Sequence, residues 1–222
     1  MTKDTAPDYK PTDRTKLKRI RERAHYDRET IYDILDAGLL CHVGYTIDDQ
    51  PYVTPTCHWR EGNAVYWHGS SASKALKAQR QGIPVCVTVS HMDGLVMARS
   101  GLHHSINYRS VMLFGTAHLV EGRDAKEASL KAFMDRIAPG RWEDCKPVTG
   151  QEIKGTMILG LEIDEVVAKV RTGPPADDEE DYALDIWAGV VPITTRIGKP
   201  VPDPRLKAGI EVPAYLKKIK IG

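Results

Sequence analysis

Between residues 39 and 122 the chain switches repeatedly between short apolar runs of strand period and small clusters of turn residues. LLCHVGYTI (39–47) gives way to a turn at IDDQP (47–51), then to a strand at PYVTPTCHW (51–59), a turn at REGN (60–63) and a strand at AVYWHG (64–69). Connections this short cannot cross over a sheet, so neighbouring strands must run antiparallel. The spacing predicts an antiparallel meander and excludes a doubly wound parallel sheet, whose strands are separated by helices.

The rest of the chain extends the pattern. SKALKAQRQG (73–82) reads as a helix, followed by strands at 84–90, 94–101 and 108–122. DAKEASLKAFMDRIA (124–138) has the spacing of an amphipathic helix, with Ala128, Leu130, Phe133, Met134 and Ile137 apolar. Strands at 156–163 and 165–173 complete a set of about eight. Ahead of the sheet, DRETIYDILDAG predicts a helix capped by Asp27, with Ile31, Ile34 and Leu35 inward and Gly38 as its stop. RTKLKRIRERAH (14–25) reads as a short basic helix with a solvated face, and residues 1–13 as a loosely attached arm. The fold class is mainly β with flanking helices, a small closed or partly closed barrel. Runs such as VCVTV and MILGLEI are apolar on both faces, which implies an outer cover of helices or a second subunit.

Residues 173–222 depart from this pattern: they hold seven of the fourteen prolines, an acidic loop (GPPADDEEDY) and an extended tail. IWAGVVPI within them is a possible edge strand, too apolar to be left in water, so the segment is expected to pack on the barrel or a partner. The division expected is 1–27 as an arm, 28–172 as the barrel and 173–222 as a C-terminal extension.

Charge excludes some partners. Lys and Arg number 31 against 30 Asp and Glu, a net of +1, without the basic surplus of a nucleic-acid or anionic-membrane binder. No apolar run approaches the roughly 20 residues of a membrane span, and the N-terminus has no apolar signal region. Cys41, Cys57, Cys86 and Cys145 are widely spaced, with no C-x-x-C pair, so buried reduced thiols and a cytoplasmic location are expected, with no metal site. Cys57 lies in a segment of functional interest.

Dinucleotide-fold, P-loop, zincin and α/β-hydrolase motifs are all missing. Ser71-Ala72-Ser73-Lys74 fits S-x-x-K without the companion motifs of that chemistry. Three segments carry more. In VYWHGSSASKALKA a strand turns into a helix through Ser70, Ser71 and Ser73 beside Lys74, which suits a phosphate or simply caps a helix. Arg99, Asn107, Tyr108, Arg109 and Ser110 gather at one strand's end and the next one's start, either an anion site or a solvated hairpin. Pro55 in PYVTPTCHW removes a ladder hydrogen bond, which marks an edge strand or leaves backbone groups for a flat heterocycle.

In this order, PYVTPTCHW, VYWHGSSASKALKA and NYRSVMLFGTAHLVEG resemble the FMN-binding split-barrel family, the pyridoxamine 5'-phosphate oxidase-like proteins, and within it the nitroimidazole-reductase-like branch. The likeness spans residues 28–172. It implies a split β-barrel of antiparallel strands and an obligate homodimer with FMN at the subunit interface. The FMN phosphate would rest on Ser70, Ser73 and Lys74, with Arg99 nearby. The ring would lie along Thr54, Thr56 and Cys57, lined by Trp67 and His68. Asn107, Tyr108, Arg109 and Ser110 would approach from the second subunit. His58 or His68 would be the functional histidine of the branch. The vitamin B6 oxidases carry Arg-Leu-x-Pro near the C-terminus; Arg205-Leu206-Lys207-Ala208 lacks the proline, so that substrate is not implied.

The resulting expectation is a flavoprotein that passes a hydride from a nicotinamide donor through FMN to a small nitro- or quinone-like electrophile, no residue being assigned as acid or base. Two other readings stand beside it: a non-catalytic flavin binder, and a haem-binding split barrel with His103 or His104 as ligand. F420 in place of FMN stays open.

Overall fold

The computed structural model describes residues 8–221. In chain order the elements are β1 (Ala24–His25), α1 (Arg28–Asp36), β2 (Leu40–Ile47), β3 (Gln50–Glu61), β4 (Ala64–Ser70), α2 (Lys74–Arg80), β5 (Pro84–Met97), β6 (Ser105–Thr116), β7 (His118–Leu119), α3 (Arg123–Ile137), α4 (Gly150–Gly155), β8 (Thr156–Glu162), β9 (Glu165–Arg171) and β10 (Gly189–Pro192). All pairings are antiparallel, in the order β1-β9-β6-β5-β2-β3-β4-β8-β7, with β10 added on β5. The sheet does not close on itself, so it forms a split barrel.

The meander holds only from β2 to β4. Ile47 pairs with Gln50, which leaves a two-residue loop of Asp48 and Asp49 at φ 51° and 59°. Positive φ at both positions is the turn whose twist matches a hairpin, and Asp tolerates it better than most residues. Beyond β4 the order departs from a meander: β5 returns to β2, β8 to β4 and β9 to β6. The runs at 84–90 and 94–101 are one strand, β5, bent by a register shift between Met92 and Gly94. β3 is long because it serves two partners: Gln50–Cys57 pair with β2 and His58–Glu61 with β4.

The core lies between the sheet's inner face and α1. Val43, Val87, Val89, Val111, Leu113, Leu159 and Leu161 are all buried, together with Ile31, Ile34 and Leu35 of α1. Each of these α1 side chains contributes about 1.5–3 kcal/mol by leaving water. Asp27 caps α1 by accepting from the Thr30 amide at 2.8 Å. At the other end, two imidazoles take up carbonyls of the last turn: His58 Nε2 lies 3.0 Å from the Leu35 oxygen and His91 Nε2 lies 2.9 Å from that of Ile34. Gly38 does not adopt the left-handed conformation expected of a helix stop. Its lack of a side chain makes room for His91 instead, since a Cβ there would sit 2.7 Å from the His91 ring.

Several expectations are corrected. Residues 14–25 form no α-helix; a 3-10 turn at Arg21–Arg23 leads into β1. Leu17 and Ile20 are too few to make an apolar stripe, and the segment is held by pairing with β9. The described part of the arm is attached, because Tyr9 is buried and its amide donates to the Tyr26 carbonyl at 2.9 Å. Residues 1–7 lie outside the described residues. α3 forms as expected, yet Leu130, Phe133, Met134 and Ile137 are only half-buried, Ala128 is exposed, and Ser129 is its buried residue. α4, with its Thr149–Glu152 capping box, was not anticipated. Of the four free thiols only Cys41 is buried, which pushes its pKa up to about 12; Cys86 is half-buried, and Cys57 and Cys145 are exposed. No helix among the described residues is long and apolar enough to cross a membrane.

Two outcomes test this packing. Gly38→Ala is expected to destabilise the fold by about 1–3 kcal/mol through overpacking against His91, read as a lower urea midpoint. Burial also lowers the His58 pKa below its ordinary 6.5, against the pull of the Leu35 carbonyl. The unfolded chain therefore takes up the proton first, and stability should fall as pH drops through 6.5. His58→Gln keeps an amide donor for Leu35 and is expected to flatten that dependence in urea titrations at pH values on either side; an unchanged slope would acquit His58.

Candidate functional site

A cleft of about 160 Å³ opens where α2 packs against the junction of β3 and β4. β4 ends at Ser70, the chain turns through Ser71 and Ala72, and Ser73 starts α2 by accepting from the Leu76 amide at 3.3 Å. The turn is pinned by the Ser71 amide, which donates to the Gly155 carbonyl at 2.8 Å. Ser70 Oγ accepts from the Ala72 amide at 3.2 Å. The Ser70 and Ser73 oxygens are thus used as acceptors, which leaves their own protons to donate to a ligand.

Thr54, Thr56 and Val43 line one side of this cleft, and Trp67, His68, Leu76 and Gln79 the other. Trp67 is held by a hydrogen bond from Nε1 to the buried Gln79 Oε1 at 3.0 Å. Thr54 Oγ1 is 2.8 Å from the Tyr45 hydroxyl. His68 packs against Phe133, with ring centroids 4.8 Å apart, and its Nδ1 is buried with no hydrogen-bond partner. Burial lowers the His68 pKa, so the ring is neutral near pH 7. The lining contains no carboxylate. It is an apolar slot with hydroxyls at one end; the His68 ring turns to the other face of β4, toward Trp59 and Phe133.

Six of the residues singled out in the sequence therefore meet here: Thr54, Thr56, Trp67, His68, Ser70 and Ser73. Lys74 stands at the rim, three-quarters exposed, with Nζ 4.0 Å from Asp48. Cys57 is exposed on the alternate face of β3 from Thr54 and Thr56. His58 is fully buried at the end of α1 and does not line the cleft, which separates the two histidines that spacing left equivalent.

The arginine cluster lies elsewhere, tied up within the chain. Arg109 donates from Nε and Nη2 to Asp93, both at 2.9 Å. Arg99 Nη1 donates to Asp177 at 3.1 Å, and its guanidinium lies 4.8 Å from the Tyr182 ring centroid. Burial pushes the Asp177 carboxyl pKa upward, but the Arg99 and Ser100 amides and the Arg99 side chain hold it below the usual range. Asn107 accepts from Arg171 and donates to the Gly173 carbonyl at 3.1 Å. Ser110 donates to the Lys169 carbonyl at 3.3 Å, and the Lys169 ammonium lies 5.9 Å from the Tyr108 ring centroid.

His103 sits between Asp177 and Asp178, at 3.6 and 4.0 Å. With Asp178 and Asp181 it brings together three atoms that could ligate a metal. His104 is exposed, with Nδ1 3.0 Å from the Ser100 carbonyl. Sequence reading missed Gln79 and Val43. Gln79 could have been found, because it falls three residues after Leu76 on the inward face of α2, where a polar residue needs a partner.

No curated protein matches the chain. Among solved structures, the flavocytochrome Anf3 from Azotobacter vinelandii is 48% identical, over 97% of this chain and 100% of that one, with a TM-score of 0.92. The FAD and heme binding protein from Mycobacterium smegmatis is 37% identical, over 89% of this chain and 97% of that one, with a TM-score of 0.85. A putative 5-nitroimidazole antibiotic resistance protein from Bacteroides thetaiotaomicron is 21% identical, over 66% and 86% of the two chains; its TM-score of 0.55 shows a shared fold. The family described as pyridoxamine 5'-phosphate oxidase matches residues 27–170, so the split barrel described above belongs to a member of the pyridoxamine 5'-phosphate oxidase family.

Proposed function

We propose that this chain is a flavin-binding redox protein, with the nucleotide phosphate at the Ser70–Ser73 turn and the ring along Thr54 and Thr56. The observation that carries the reading is the convergence of serine and threonine hydroxyls on an apolar slot in one cleft. That donor set fits a flavin: serine protons and first-turn amides for a phosphate, and threonine hydroxyls for the polar edge of a flat ring. When bound, a flavin supplies hydride and single-electron chemistry. The chain's own residues bind, orient and exclude water. Ser70 and Ser73 donate, and Lys74 exchanges its exposed, weak pairing with Asp48 for a phosphate oxygen. Trp67, fixed by Gln79, closes the floor.

Likeness to a protein named a flavocytochrome and to one named for FAD and heme favours haem as a second group. His104 suits an iron ligand better than His103. Its Nδ1 is already oriented by a carbonyl, whereas His103 faces two carboxylates. FMN remains the nucleotide the sequence resemblance implies, and FAD is the alternative raised by the relative's name. In its enzymatic form this reading has a nicotinamide donor and a small nitro- or quinone-like acceptor, in a reducing, cytoplasmic compartment suited to free thiols. A homodimer belongs to the proposal as well. Leu40, Val53 and Met112 stand 40–67% exposed on the outer face of the sheet, where a second copy would cover them.

The absorption spectrum of the purified protein, with chromatography of what heat releases, tests the cofactors. Flavin bands with FMN or FAD in the supernatant are expected, and a Soret band if haem accompanies them. A colourless protein that takes up neither nucleotide would sink the proposal. Lys74→Ala is expected to weaken flavin binding about tenfold, the loss of one charge-assisted contact. Unchanged affinity in a folded variant would move the phosphate away from this turn.

A further inference from the structure

The C-terminal extension carries two opposite charge clusters that do not meet within one chain. Residues 172–195 contain six acids, Asp177 to Asp181 and Asp185, and neither Lys nor Arg. Residues 193–221 contain seven Lys and Arg against Asp203 and Glu211. Asp177 is committed to Arg99, and Asp178 faces only His103. Among the described residues, Glu179, Glu180 and Asp185 make no ion pair, and neither does any cation of the tail. Glu179, Glu180, Asp185 and the seven cations of the tail are all exposed.

Apolar surface follows the same segment. Eleven of the nineteen large apolar side chains exposed among the described residues lie in residues 182–221, so this stretch is the part of the chain least suited to water. Trp187 is 68% exposed and Val201 90%. The tail still touches the body at defined points. The Ile193 amide donates to the Asp93 carbonyl at 3.0 Å, and Arg141 donates to the Tyr215 hydroxyl at 2.9 Å. It is placed across the surface while its charges and most of its apolar groups have nothing to cover them.

We infer that the basic tail of one copy lies on the acidic 178–185 segment of a second copy. Self-complementary charge within one sequence fits a two-fold dimer, in which each contact is made twice with the roles exchanged. A nucleic acid or an anionic membrane would match the tail, but would leave the acidic segment beside it repelled. The inference rests on the homodimer proposed above and adds to it a contact outside the sheet face. Exposed pairs of this kind are individually weak, so their part is to fix orientation and to give the association a salt dependence.

Unlabelled and nitrogen-15-labelled full-length chains, refolded together and treated with a carbodiimide that joins amines to carboxylates, test it directly. Peptides linking Lys217, Lys218 or Lys220 to Glu179 or Glu180 are expected, with about half pairing one light and one heavy chain, as random two-fold pairing requires. Links only between like-labelled peptides would mean that the tail folds onto its own chain, and a dimer with no such links would also overturn the inference. A monomer in sedimentation would remove the homodimer itself. In a second measurement, Glu179→Lys with Glu180→Lys is expected to weaken dimerisation about tenfold at about 50 mM salt, and less at high salt. Mixing that variant with Lys217→Glu/Lys218→Glu should restore it; no weakening, or no rescue, would count against the contact. Flavin content measured on the same samples reports on the cleft separately.

Discussion

The architecture depends on one strand satisfying its backbone on behalf of two sheets. β3 runs from Gln50 to Glu61, pairing with β2 as far as Cys57 and with β4 from His58 onward. No residue of the strand pairs on both sides, so β2 and β4 overlap nowhere along it and the sheet splits there. The stretch paired with β2 carries Thr54 and Thr56 to the same cleft as Trp67 and His68 on the next strand. α2 then fills the gap, and the turn that starts it supplies Ser70 and Ser73. The site therefore follows from the way the sheet splits.

Much of this was legible in the sequence, for local reasons. The positions of strands and turns came from period and turn chemistry, and the strand-turn-helix of VYWHGSSASKALKA stood out because its elements are contiguous. What could not be read depends on long-range pairing. His58 and His68 were equivalent by spacing; the structure separates them because α1, far back in the chain, presents the Leu35 carbonyl to His58. Arg99 and Arg109 looked like anion ligands for the same reason. Asp93 lies across one hairpin from Arg109, while Asp177 reaches Arg99 from the proline-rich segment, 78 residues on. Composition reports charges but not which of them are already spent on each other.

The polar contacts around residues 171–177 show how a tail of low secondary structure is fixed to a barrel. Arg171 is 7% exposed, bonded to Asn107 and 3.3 Å from the Pro174 carbonyl, while the Asp177 side chain is wholly covered and takes bonds from Arg99 and Ser100. Removing Asp177 would leave the Arg99 guanidinium without its counter-charge, and removing Asn107 would take a hydrogen-bond acceptor from Arg171. These contacts therefore set where the extension leaves the sheet, and the placement of everything after it follows.

β10 has a consequence of a different kind. It pairs with β5 from Gly94 to Met97, past the stretch where β2 runs alongside β5. Without it, that margin would offer a row of free amides and carbonyls next to Leu95 and Val96, the kind of rim on which foreign strands assemble. Four residues of the extension thus act as a guard against aggregation. Substitutions that unpair β10 would therefore leave the cleft lining unchanged and lower the solubility of the folded protein.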